Sequence, residues 1–273
     1  MKKRLPTIIL ILVFLTGLSL LLYPTVSDWW NSFHRSRAIA DYARAIENLD
    51  NEAYEKLLSD ARSYNEGLPG RNDRFTLSEE EVREYNSLLD ISGTGIMGYI
   101  EIPEIKVSLP IYHGTDDAVL AIAIGHIEGS SLPVGGGSTH CVLSGHRGLP
   151  SAKLFSNLDK LSEGNTFLIR TLDETLTYEV DQIRIVEPRE IGDLAIEEEK
   201  DYCTLITCTP YGINTHRLLV RGHRIENTPD AQVVRVTSDA LQIDPVLIAP
   251  IVALPMILLL LVLLFMRSGK KAG

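Results

Sequence analysis

Cysteine is scarce in this sequence of 273 residues. It occurs three times, at positions 141, 203 and 208, so at least one thiol stays free or pairs with another molecule. No C-x-x-C or H-x-x-x-H spacing groups the cysteines and histidines, which argues against a metal centre. The glycine-rich stretch GGGS at 135–138 lacks the Lys and Ser/Thr of a phosphate-binding loop and reads as an ordinary loop. Internal repeats are absent. Basic residues are outnumbered, 26 against 36 acidic ones, for a net charge of −10. That balance leaves no electrostatic footprint for nucleic acid.

Long apolar runs, by contrast, are present near both ends. Residues 7–23, TIILILVFLTGLSLLLY, carry no charge. As a helix they would rise about 26 Å, close to the roughly 30 Å of a bilayer core. Residues 246–266, VLIAPIVALPMILLLLVLLFM, are also charge-free. Pro250 and Pro255 would break a soluble helix, but membrane helices tolerate proline better. Both runs are expected to span a membrane. Lys2, Lys3 and Arg4 precede the first and Arg267, Lys270 and Lys271 follow the second, which places both termini in the cytoplasm. The alternative for the first run is a cleaved signal peptide, but no A-x-A site follows it and Tyr23-Pro24-Thr25 is a poor substitute. The segment between the runs carries 20 basic and 36 acidic residues, a net of −16 that suits a soluble domain outside the cell.

Between the runs the texture changes twice. Tyr42, Ala43, Ile46, Leu49, Ala53, Leu57 and Leu58 recur at helical spacing, so residues 33–65 are expected to form amphipathic helix beside the membrane. EGLPGRNDRF (66–75) is a loop, and LSEEEVREYNSLL starts a short helix with Ser78 and Glu81 placed as a capping box. From Gly95 onward come seven short β-like runs: MGYIEIP, KVSLPIYHG, THCVLSGH, NTFLIRT, LTYEVDQIRIVEP, DYCTLITC and HRLLVRGHRI. Their alternation and turn-residue borders suit a compact barrel or sandwich. Two inserts between them, TDDAVLAIAIGHI and SAKLFSNLDKL, read as helical, the second with Ser151 as N-cap and Leu154, Phe155, Leu158 and Leu161 on one face. The expected layout is a basic tail (1–6), a span (7–23), a juxtamembrane helical region (24–65), a loop with a short helix (66–94), a β domain (95–225), a linker (226–245), a span (246–266) and a basic tail (267–273).

One thiol is placed differently from the others. Cys141 and Cys203 sit inside apolar runs, where a free cysteine behaves as a small buried hydrophobe. Cys208 ends its run and meets Thr209-Pro210-Tyr211-Gly212, a turn that lets the thiol face a cleft. Arg217 opens the returning run nine residues later, at hairpin distance, where a guanidinium can stabilise a thiolate or an oxyanion. His146 is the best-placed acid/base, because its strand ends at Gly145-His146 and runs into a loop. His126, His140 and His216 compete with it, and Arg147 and Arg221 compete with Arg217. A cysteine, a histidine and an arginine facing one cleft fit acyl transfer to a thiol.

TLITCTPYGINTHRLLVRGHR (204–224), LSGHRGLPSAKLFSNLDKL (143–161), LPIYHGTDDAVLAIAIGHIEGSSLPVGG (109–136) and GYIEIPEI (98–105) together resemble the sortases. The form is that of class C, the pilus-assembling transpeptidases of Gram-positive bacteria, over roughly residues 95–225 plus the two-span layout. The resemblance implies a mainly β fold, a closed eight-stranded barrel with short helices. It implies Cys208 as the nucleophile that attacks the Thr-Gly carbonyl of an LPXTG-like sorting signal and forms a thioester. His146 would then be the general acid/base, and Arg217 would position the signal and stabilise the oxyanion. The acceptor would be a lysine amine of another pilin subunit, with no cofactor needed. The chain would sit in the plasma membrane with its catalytic domain outside.

Class C sortases resemble one another further in a lid, Asp-Pro followed by an aromatic residue that covers the active cysteine. Here the loop reads Asp73-Arg74-Phe75, with the carboxylate and the ring but without the proline. The resemblance implies that Asp73 pairs with Arg217 and that Phe75 sits over Cys208, on a loop less rigid than a proline would make it. In the sortase barrel the strands carrying Cys141 and Cys203 are adjacent and parallel, which implies two neighbouring, buried, free thiols. Two other readings stand beside this one: a cell-wall-anchoring sortase that uses a peptidoglycan amine, and a membrane-tethered domain that binds surface proteins without chemistry.

Overall fold

In the computed structural model of the protein, residues 5–71 and 73–227 are described. The second expected span and the linker beyond residue 227 lie outside them, as does Asn72 of the loop.

Alternating side chains build the strands. In Asp201–Thr209 (β7), Cys203 and Leu205 point into the core while Ile206 and Cys208 point away from it. The others are Ile96–Ile102 (β1), Val107–His113 (β2), Ile124–His126 (β3), Thr139–Ser144 (β4), Thr166–Thr171 (β5), Glu174–Val186 (β6) and His216–Ile225 (β8). They close into a barrel in the order β1-β2-β3-β4-β7-β8-β6-β5, and the antiparallel β1–β5 pair completes the ring. Two neighbouring pairs, β2–β3 and β4–β7, run parallel. Inside, Phe167 and Tyr178 stack at 5.5 Å. Gly222 leaves room for that stack, since a Cβ there would lie 2.7 Å from the Phe167 ring.

The helical part covers the barrel. Leu5–Glu47 (α1) is pinned to it by Tyr42, whose hydroxyl donates to Met97 O and accepts from Leu172 N, both at 2.9 Å. Asn51–Glu66 (α2) is capped by Asp50 and buries Leu58 and Ala61. Glu79–Ser87 (α3) carries the expected Ser78/Glu81 capping box and buries Tyr85. The amphipathic stretch expected over 33–65 is therefore two helices. The break at 48–50 falls where the Asp50 carboxylate takes the Ala53 N–H and starts a new one.

Two expectations change, and a third finds no support among the described residues. Residues 7–23 do lie in α1, but among the described residues no helix is long and apolar enough to cross a membrane. The insert SAKLFSNLDKL forms turns and one 3₁₀ turn at Leu158–Lys160 rather than an amphipathic helix. Its Leu154, Phe155, Leu158 and Leu161 are all buried, so core packing accounts for the apolar pattern and overrides helical periodicity. In TDDAVLAIAIGHI only Asp117–Leu120 (α4) is helical. Ile124–His126 joins the sheet as the eighth strand, held by β2 on one side and β4 on the other.

Candidate active site

The three candidate residues come from three chain segments that converge at one end of the barrel. β7 and β8 are antiparallel neighbours, and Cys208 is the direct Cα partner of Arg217. β4 and β7 are parallel, with Ser144 opposite Ile206. Gly145 N continues that ladder onto Ile206 O at 3.0 Å, so the register carries His146 up to the level of Cys208. Strand alternation sets all three on the outer face, since Cys141, Leu143, Leu205 and Leu218 face the core. Cys208 is a free thiol and, like His146 and Arg217, only half-buried.

The loop that carries His146 is fastened on both sides. His146 O accepts from Phe155 N at 3.1 Å, and Gly148 N donates to Ser156 Oγ at 2.9 Å. Thr207 Oγ1 donates to Gly145 O at 2.8 Å, tying the loop to β7. Arg147 donates to Thr209 Oγ1 at 3.2 Å and pairs with Asp159 at 2.6 Å. Arg217 rests on the turn before it, donating from Nη1 to Asn214 O and His216 O at 3.3 and 3.1 Å.

A groove of about 270 Å³ runs up to this end. Its floor is apolar, made of Val186, Leu194, Ile206 and Leu219, and Ser144 and Arg217 stand at its side. Phe75 packs into it. The neighbouring Arg74 is buried, donates to Gly129 O at 3.1 Å and to Leu194 O, and stacks 4.3 Å from the Phe75 ring. Burial lowers the Arg74 guanidinium from its usual value. A Cβ on Gly129 would lie 1.7 Å from Arg74 O, so only glycine admits the loop this closely.

The details of this loop differ from those expected. Asp73 is exposed and lies 3.6 Å from Arg71, so its ion pair is local instead of reaching Arg217. Phe75 packs against the row of Ile206 and Leu219, one step along the strands from Cys208 and Arg217. Arg74, at the position where the resemblance implies a proline, is the residue that anchors the loop.

The rival residues are occupied elsewhere. His126 is fully buried, 2.9 Å from both Tyr85 Oη and Ser131 O. His140 is fully buried between Ala195 O at 2.8 Å and Thr204 Oγ1 at 2.7 Å, and burial lowers it to about 4. His216 is exposed, and Arg221 forms a two-point pair with Asp181 at 3.0 Å. Cys141 and Cys203 are opposite each other across β4–β7, both buried and both free, and burial pushes the Cys203 thiol well up.

Fold and site together describe an enzyme built on a β-barrel around a strand-end cysteine. The sortase-domain family matches residues 100–225. Sortase C1 of Streptococcus agalactiae superposes with a TM-score of 0.68 at 53% identity, covering 70% of this chain and 100% of that one. A Streptococcus pneumoniae sortase C, described in connection with pilin substrate specificity, gives 0.63 at 43% identity over 70% of this chain and 98% of its own. The curated sortase D of Bacillus subtilis is 31% identical over 131 residues, which is 47% of this chain, and the chain spans 63% of that relative's length. The chain belongs to the sortase family, and its likenesses among solved structures are to class C, pilus-associated sortases.

Proposed function

We propose that this protein is a pilin-polymerising cysteine transpeptidase. Cys208 attacks the Thr-Gly carbonyl of an LPXTG-like sorting signal, and the C–N bond breaks as a thioester forms. His146 gives its proton to the leaving amine and later takes one from the incoming lysine amine. The product is an isopeptide bond between pilin subunits. Arg217, with two-pronged donors one strand away, holds the sorting signal and the oxyanion that develops on its carbonyl. No cofactor enters, because the thioester keeps the energy of the cleaved bond.

The observation that carries this reading is the shared register of Cys208, Arg217 and His146 at the head of an apolar groove. The groove takes the apolar part of the sorting signal. Phe75 acts as a lid by narrowing that groove, held there by Arg74, while Asp73 stays on the lid's own loop through Arg71. The charge-free runs 7–23 and 246–266 with their basic flanks support two spans, both termini in the cytoplasm and the barrel outside the cell.

The test is incubation of the protein with a sorting peptide and a lysine-bearing pilin, with and without Cys208→Ala, followed by mass spectrometry. A peptide thioester and Lys-Thr crosslinks are expected with Cys208 only. Crosslinks that persist in the Ala variant defeat the assignment.

A further inference from the structure

Two cavities are lined by residues close in sequence to Cys208 and His146. The apolar groove is lined by Ser144 and Ile206, each two residues before one of that pair. A second cavity, of about 410 Å³, is lined by Gly148 and Tyr211, two residues after His146 and three after Cys208. Its far wall belongs to α1, through Pro24, Thr25 and Asp28, and its floor is Leu149, Pro150 and Ala152. Gly148 and Tyr211 meet closely, since a Cβ at Gly148 would lie 2.8 Å from the ring. The mechanism described so far makes no use of this cavity.

A transpeptidase has to seat two substrates, the acyl donor before the thiol and the amine acceptor beyond it. We infer that the second cavity is the acceptor site, which receives the lysine side chain of the incoming pilin; this rests on the transpeptidase reading of Cys208. The chemistry of the lining fits a lysine. Pro24, Leu149, Ala152 and Tyr211 suit an aliphatic four-carbon stem, and Asp28 supplies a carboxylate for the ammonium. The chain already demonstrates that pairing. Lys153, next to the floor residues, has its Nζ 3.7 Å from Asp28 Oδ2 and its side chain 79% exposed, so an incoming ammonium can replace it. Asp28 itself is held by Lys153 N at 3.0 Å and by Arg35 at 3.7 Å. Moving from Asp28 past Tyr211, the ammonium gives one proton to solvent, and the resulting amine gives a second to His146 as it attacks the thioester carbonyl. The C–N bond forms, the C–S bond breaks, and the Cys208 thiolate is restored.

Shifts of opposite sign among three substitutions test this. The full chain, with and without Phe75→Ala so that a narrowed groove does not limit loading, is charged with a sorting peptide. Thioester aminolysis is then followed with a lysine-containing pilin peptide, with a peptidoglycan stem-peptide amine, and with hydroxylamine, which is small enough to need no site. Asp28→Asn is expected to raise KM for the lysine peptide roughly fivefold. Thr25→Arg, at an exposed position on the cavity mouth, is expected to raise it roughly tenfold. Lys153→Ala is expected to lower it about twofold, while thioester formation and hydroxylamine cleavage stay unchanged in all three. If thioester forms normally and these variants leave the lysine KM unchanged, the acceptor assignment falls and the Cys208 reading stands. If only the stem-peptide KM moves, the assignment to a pilin lysine is overturned. A wild-type chain that forms no thioester sinks both.

Discussion

Cys208 and Arg217 face each other directly across the β7–β8 pair, and both project from the outer face of the barrel. A cross-strand pair of this kind has Cβ atoms about 5 Å apart, near enough for a guanidinium to serve a thiolate or a carbonyl oxygen bound to it. The Arg217 fork is tied to backbone carbonyls alone, so it can swing to a substrate without breaking an ion pair among the described residues. Arg217→Ala is expected to lower kcat for sorting-peptide cleavage about 10²- to 10³-fold with little change in Tm. Arg217→Lys should recover only part of this, because an ammonium cannot donate from a planar fork. Full activity in the Ala variant would remove Arg217 from the mechanism.

The lid prediction rests on Arg74. Its guanidinium bridges Gly129 O and Leu194 O while its aliphatic and planar parts support Phe75. Arg74→Ala should free Phe75 from the groove and speed peptide cleavage by about fivefold, the loss of roughly 1 kcal/mol of net anchoring. Gly129→Ala should act in the same direction, because a Cβ there would overlap Arg74 O at 1.7 Å. Unchanged rates in both variants would show that the loop does not close the groove.

The thiols should separate cleanly by reactivity. Cys208 is half-buried and at a strand end, whereas Cys141 and Cys203 are sealed in the core. Alkylation of the native, non-reduced protein should label one thiol quickly, and two more only after denaturation. Mass analysis that finds two thiols permanently blocked would mean that a disulfide joins β4 to β7.

A pH dependence follows from His140. Ala195 O can only accept, so Nδ1 donates to it and Nε2 takes the Thr204 hydroxyl, which leaves the ring neutral. Burial depresses its folded value to about 4, while in the unfolded chain it returns to about 6.5. The unfolded state therefore binds the proton more readily. The stability His140 contributes is complete above pH 6.5 and is lost as pH falls toward 4, by up to about 3 kcal/mol. Chemical denaturation of the wild type and His140→Asn between pH 4 and 7.5 checks this: the gap between their pH profiles should narrow on acidification. Parallel profiles would contradict it.

Much of the candidate site was legible along the chain. A thiol at the end of an apolar run before Thr209-Pro210-Tyr211-Gly212, an arginine nine residues on and a histidine at another strand end are local features, and hairpin connectivity links the first two. Seven of the eight strands were equally plain. The eighth, Ile124–His126, was hidden because three residues carry no period, and it is a strand only because β2 and β4 flank it. For the same reason SAKLFSNLDKL read as a helix: burial by a core puts apolar residues at 154, 155, 158 and 161 with or without helical backbone.

By itself the sequence determined the chemistry available: which residue types stand at strand ends, and which thiol is free to react. Only the tertiary structure decided their company. Closing the barrel laid β4 beside β7 although some sixty residues separate them, and that parallel pairing set the end of β4, just before His146, beside the end of β7, just before Cys208. It also lodged Phe75 in the groove through Arg74 and set α1 against the His146 loop. Periodicity reports which face of a segment is buried, but what lies against that face is set by contacts between distant parts of the chain.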